Sequence, residues 1–102
     1  MIIAVPANTQ YTDSQIAHRF SRARYFLFYN SQTNTCCHVE NPPAVWGRGV
    51  YAADAMVEYK ADVVIAEQIG GHVLERLRSR GIQVVHGKTG VVFDLITEYL
   101  GK

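Results

Sequence analysis

Most of the architecture follows from residues 61–87, ADVVIAEQIGGHVLERLRSRGIQVVHG. The two ends, DVVIAE and IQVVHG, are short runs rich in β-branched residues, the length and composition of buried strands. Between them Gly70 and Gly71 open a segment that places Val73, Leu74 and Leu77 on one helical face. Arg76, Arg78 and Arg80 crowd its second half, where cations complement the helix dipole, and Gly81 stands where a left-handed residue ends a helix. A strand-helix-strand unit of this kind crosses over right-handed and sets its two strands parallel.

The flanks extend the pattern. Val91 to Leu100 predicts a last helix with Val92, Leu95, Ile96 and Tyr99 on one side. Val50 to Lys60 predicts an earlier one with Val50, Ala53, Met56 and Val57 at helical spacing. Upstream, RYFLFYN and CCHVEN flank the turn SQTNT and read as an antiparallel hairpin, stopped by Pro42 and Pro43. The apolar run MIIAVPA, ended by Pro6, predicts the first strand, and Asn8 to Ser21 a long loop or a loop with a short helical turn. The order β-β-β-α-β-α-β-α predicts one α/β domain over residues 1–102. Its three α/β/α layers enclose a five-stranded mixed sheet of order 3-2-1-4-5 with only strand 2 antiparallel, a ribonuclease H-like arrangement.

At 102 residues the chain has the length of one compact domain. A net charge of +1 argues against a nucleic-acid surface, which carries a marked basic excess. No tract approaches the ~18 apolar residues of a membrane span, and the N-terminus lacks the basic start and apolar run of a signal peptide, so a cytoplasmic location is expected. Any use of charge must therefore come from local arrangement.

The predicted topology supplies that arrangement. Ligands of open α/β sheets bind beyond the carboxyl ends of the strands. The loop after strand 1 carries His18, Arg19 and Arg22, with Arg24 close behind. The loop after strand 3 carries Trp46, Gly47, Arg48 and Gly49. Glu67, Gln68, Gly70, Gly71 and His72 follow strand 4, and His86, Gly87, Lys88 and Gly90 follow strand 5. Three of these loops lead into helix N-termini, whose free amides favour an anion. An anionic ligand is expected at this rim, bound by Arg19, Arg22 and Arg48, by the amides at Gly49, Gly70 and Gly71, and by His18 and His72 as candidate metal ligands. Taken singly, each glycine is more simply explained by backbone conformation, and Arg22 and Arg24 by solvation or by pairing with Glu67 and Asp13.

Catalytic signatures are poor. No Gly-x-Ser-x-Gly, phosphate loop, dinucleotide fingerprint or His-Glu-x-x-His occurs, and strand 1 lacks the carboxylates that a two-metal nuclease requires. Cys36 and Cys37 are adjacent, too close for an ordinary disulfide between them. On a strand they point to opposite faces, at the end away from the rim, so one buried and one exposed thiol are expected rather than a chelate.

The segments RFSRARYFLFY, GRGVYAADAMVEYKADVVIAEQIGGHVLERLRSRGIQVVHG and TGVVFDLITEYL together resemble the dinitrogenase iron-molybdenum cofactor biosynthesis family over essentially the whole chain. The resemblance implies a ribonuclease H-like fold and a non-catalytic protein that carries or hands over an anionic metal-sulfur cluster. That cluster would be similar to the iron-molybdenum cofactor or a molybdenum-copper-sulfide, with a cluster-assembly or acceptor protein as partner. Members often show His-Phe-Gly or Arg-Phe-Gly where this chain has Arg19, Phe20 and Ser21. In those that bind the iron-molybdenum cofactor the histidine is the proposed ligand, whereas His18 here lies one position earlier. Glu67 replaces a usual glycine, and Gly71 and His72 a common Pro-Asn pair. Two readings stand beside the carrier: an enzyme or sensor acting on a small anionic metabolite through His72 or Glu67, and a protein-interaction module using Trp46 and Tyr51.

Overall fold

A computed structural model describes residues 1–41 and 48–101, with the backbone alone for residues 48–50. Its elements are β1 Ile2–Ala7, β2 Tyr25–Asn30, β3 Thr35–Glu40, α1 Arg48–Glu58, β4 Val63–Ile65, α2 Gly71–Ser79, β5 Gln83–Val85 and α3 Val92–Leu100, plus a 3-10 turn at Phe20–Arg22. The sheet order is β3-β2-β1-β4-β5. β1 runs antiparallel to β2 and parallel to β4, and β4 parallel to β5, so β2 alone is reversed, as the crossover argument requires. Among the described residues no helix is long and apolar enough to cross a membrane.

Alternation along the strands builds two cores. Ala4, Phe26, Phe28, Val64 and Val84 face α1 and α2 and pack with Ala52, Ala53, Met56 and Leu77. Ile3, Val5, Leu27, Val63 and Ile65 face the other way, against Val92, Leu95 and Ile96 of α3. Asp62 clamps the near ends of β1 and β4: its carboxylate accepts the Ile2 amide at 2.7 Å, and its own amide donates to the Ile2 carbonyl at 2.8 Å.

Pro6 lies inside β1 rather than ending it, opposite Phe26 of β2. Proline is tolerated there because β4 stops at Ile65, and the Pro6 carbonyl accepts the Ala17 amide at 2.9 Å, so the following loop takes the place of the missing strand. Both cysteines are exposed, against the expectation of one buried thiol. The reason is position: β3 is an edge strand, Cys36 lies on the face where α3 packs over β1, β4 and β5 rather than β3, and Cys37, opposite Phe28 on the other face, lies outside the core that α1 and α2 cover.

Helices α1 and α2 end alike. Ala61 and Lys60 donate to Met56 and Val57 at 2.9 and 3.1 Å; Ile82 and Gly81 donate to Leu77 and Arg78 at 3.1 and 3.0 Å. Each is the paired closure that turns on one left-handed residue. Gly81 adopts φ +77° without penalty, while Lys60 adopts φ +59° with a Cβ. Lys60→Gly should therefore raise, and Gly81→Ala lower, the unfolding free energy by about 1 kcal/mol each in urea titrations; equal effects of one sign would contradict this account.

Candidate functional site

Beyond the strand ends the backbone ladder continues through the loops. The Gln68 amide donates to His18 at 3.1 Å and the Phe20 amide to Gln68 at 2.9 Å, a parallel bridge between the loops after β1 and β4. The Gly87 amide donates to Glu67 at 2.9 Å and the Lys88 amide to Ala66 at 3.1 Å, tying in the loop after β5. Three loops expected to share a rim are thus joined by their own main chains.

Phe20 anchors the 3-10 turn. It is buried in the α1/α2 core with its ring 5.2 Å from that of Phe26. The turn is held from below by Asn41, which is buried and whose side-chain amide donates to the carbonyls of Ala23 at 2.8 Å and Ser21 at 3.2 Å. Arg19 and Arg22 are thereby left exposed on a groove of about 400 Å³, lined also by Phe20, Ser21, Gln68, Ile69 and Gly70. Among the described residues neither arginine has a carboxylate within 4.0 Å. Both charges are unneutralised where they border the groove.

Glu67 does not pair with Arg22. Its Oε2 lies 2.9 Å from Nδ1 of His18. A carboxylate only accepts, so Nδ1 carries the proton and Nε2 of a neutral ring keeps its lone pair. A carboxylate on one ring nitrogen is the usual way of orienting a histidine whose other nitrogen binds a metal.

The helix starts are not equivalent. At α3 the amides of Val92 and Phe93 donate to the carbonyls of Ser14 and Thr12 at 2.9 and 3.0 Å. At α2, Gly70 is the N-cap with no side-chain cap, and among the described residues the amides of Gly71, His72 and Val73 have no partner. Of these two starts, that of α2 is the one left with free amides among the described residues, beside the two arginines. Gly87 and Gly90 have φ of +80° and +122°, so conformation alone explains them. Gly70 has φ −67°, Gly71 has no positive φ, and a Cβ on either would meet nothing within 4 Å. Neither fold nor packing requires glycine at these two positions.

Of the expected site residues, Arg19, Arg22 and Gly70 line one groove, and Gly71 begins the adjoining helix. His18 and its partner Glu67 do not line the groove, though each immediately precedes a residue that does, Arg19 and Gln68. His72 is exposed in the first turn of α2 and does not line the groove. Lys88 is drawn off to Glu98 of α3 at 3.2 Å, and His86 is exposed after β5. Gly49 lies in the first turn of α1. The Arg48 side chain, Trp46 and Gly47 lie outside the described residues. Gln68 stands among the rim residues expected after strand 4, whereas Asn41 and Ile69 are not singled out by the sequence; only the isolated polar residue at the end of β3 hints at the first.

The chain matches the family described as dinitrogenase iron-molybdenum cofactor across residues 1–102, and it belongs to that family. It is similar to the apo form of the orange protein from Desulfovibrio gigas, with 26% identity over 98% of this chain and 87% of that one and a TM-score of 0.91. It is also similar to a Thermotoga protein provisionally assigned as NifB, with 27% identity over 98% of this chain and 87% of that one and a TM-score of 0.85. No curated protein matches it in sequence.

Asn41→Ala removes both side-chain bonds under the 3-10 turn and leaves two carbonyls without them. A loss of about 1–3 kcal/mol in denaturant unfolding is expected, with faster amide exchange at Phe20 and Ala23; unchanged exchange there would show that Asn41 does not hold the groove.

Proposed function

We propose that the protein is a non-catalytic carrier of an anionic metal-sulfur cluster, docked in the groove between the 3-10 turn and the N-terminus of α2. Arg19, Arg22 and Arg48 supply positive charge, the amides at Gly49, Gly70 and Gly71 supply hydrogen bonds, and His18 and His72 are the metal ligands, His18 through the Nε2 that Glu67 leaves free. Family membership and the likeness to the orange protein support a cargo of this class, either an iron-molybdenum-sulfur cluster or a molybdenum-copper-sulfide. The observation that carries the reading is the Gly70-Gly71 pair. It keeps a helix end bare beside two unneutralised arginines, at positions where neither backbone conformation nor packing demands glycine. A ligand approaching the main chain is what a methyl group there would obstruct. The partner that loads or unloads such a cargo is a cluster-assembly or acceptor protein.

Anaerobic incubation with iron, molybdate and sulfide, and separately with molybdate, copper and sulfide, is expected to yield a coloured protein that retains metal and sulfide through gel filtration. A colourless, metal-free protein after both mixtures would sink the proposal. Arg19→Ala and Arg22→Ala should each weaken retention roughly tenfold, the value of about one charge-assisted hydrogen bond at a partly open site. Gly71→Ala should leave unfolding unchanged or raise its free energy by up to about 1 kcal/mol, because alanine is the better helix former, and still reduce retention. A stabilised variant that holds cluster as well as the parent would remove the role assigned to the glycine.

A further inference from the structure

A separate feature stands at the other end of the sheet. β3 is an edge strand paired with β2 in unbroken register from Tyr25 opposite Glu40 to Asn30 opposite Thr35. Cys36 lies opposite Tyr29 and His38 opposite Leu27, so the two side chains share one face, two residues apart. Both are exposed. The Cys36 thiol has only a 3.9 Å contact to the Cys37 carbonyl, and the His38 ring sits edge-on to Tyr25 at 5.9 Å with no hydrogen bond among the described residues. Two soft, unoccupied donors at strand spacing of about 6.6 Å can close on one cation above the sheet.

Alone they make half a site. Among the described residues no three metal-ligating side chains converge. We propose that Cys36 and His38 bind zinc or a similar borderline-soft divalent cation together with the Cys36 and His38 of a second copy of the chain, the two β3 edges pairing antiparallel about a two-fold axis.

The edge itself favours that occupant. β3 has no bulge against β2, none of its six residues is proline, lysine or arginine, and its one acidic residue, Glu40, stands at its end, so the middle of the edge lacks the usual devices that keep edges apart. In a two-fold antiparallel pairing perpendicular to the sheet, opposed residues share a face. The register that centres on Cys37 sets Cys36 of each copy opposite His38 of the other. Opposed Cβ atoms then lie about 5 Å apart, and the four donors frame a space suited to Zn–S and Zn–N bonds of about 2.3 and 2.0 Å in tetrahedral geometry. Each thiol gives its proton to solvent as its sulfur bonds the metal, two protons per cation, and no electron moves. Cys37 faces away, opposite Phe28, and takes no part.

Cobalt(II) is the probe, titrated anaerobically with a non-thiol reductant present to exclude disulfides. The expected result is a thiolate-to-cobalt charge-transfer band with tetrahedral d–d intensity, saturating at one cobalt per two chains as sedimentation velocity shifts from monomer to dimer. Cys36→Ser and His38→Ala should abolish both signals, and Cys37→Ser should keep them. Circular dichroism checks that these edge variants fold. Saturation at one cobalt per chain, a spectrum without the thiolate band, persistence in Cys36→Ser or loss in a folded Cys37→Ser would each overturn the proposal. None of these outcomes bears on the groove, whose residues supply no thiolate.

Discussion

The site depends on a short piece of main-chain pairing in which the carbonyl of His18 and the amide of Phe20 sandwich Gln68. The loop between β1 and the 3-10 turn is long, and ordering it carries an entropic cost that grows with each residue fixed. Burial of Ile16, Ala17 and Phe20 offsets that cost, and the bridge to Gln68 then sets where the loop ends. Because the bridge continues the parallel direction of β1 and β4, Arg19 within it and Arg22 after it border one groove with Gly70, the N-cap of α2. A shift of that pairing by one residue would exchange the buried Phe20 for an exposed neighbour and turn the charges elsewhere.

The sheet order was readable because each strand carried a compact apolar signature and the crossover rule left little choice of hand or neighbour. Gly81 likewise announced the end of α2. Other features depended on contacts between distant residues. Nothing local marks Pro6 as an internal strand residue, since its tolerance rests on where β4 stops and where Ala17 lies. The exposure of both cysteines was not legible, because periodicity says which faces a strand has, not how far a helix will cover them. At the rim, the residue types were visible, but which of the α2 and α3 starts stayed bare was decided by the carbonyls of Thr12 and Ser14. Glu67 was visible as a departure from the family pattern; its bond to His18 needed the folded chain.

Electrostatics here is a matter of placement rather than quantity. The net charge is +1, and among the described residues the three ion pairs engage His18, Arg76 and Lys88, none of them Arg19 or Arg22. Exposed pairs of that kind contribute little to stability, so the pattern matters mainly for what it leaves over. Beside α2 it leaves two cations and a helix end. Across the sheet, Cys36 has a different character: partial burial, and then the neighbouring Cys37, push its thiol above the ordinary range, so it remains protonated at neutral pH until something displaces the proton.

The occupied start of α3 has a further consequence. The carbonyls of Ser14 and Thr12 already accept the amides of Val92 and Phe93, so on the described part of this rim an anion bound as proposed would meet one free helix start rather than two. The loop that occupies the start of α3 is tied to it a second time by the bridge between Gln15 and Val91, so a competing anion would act at the start of α2.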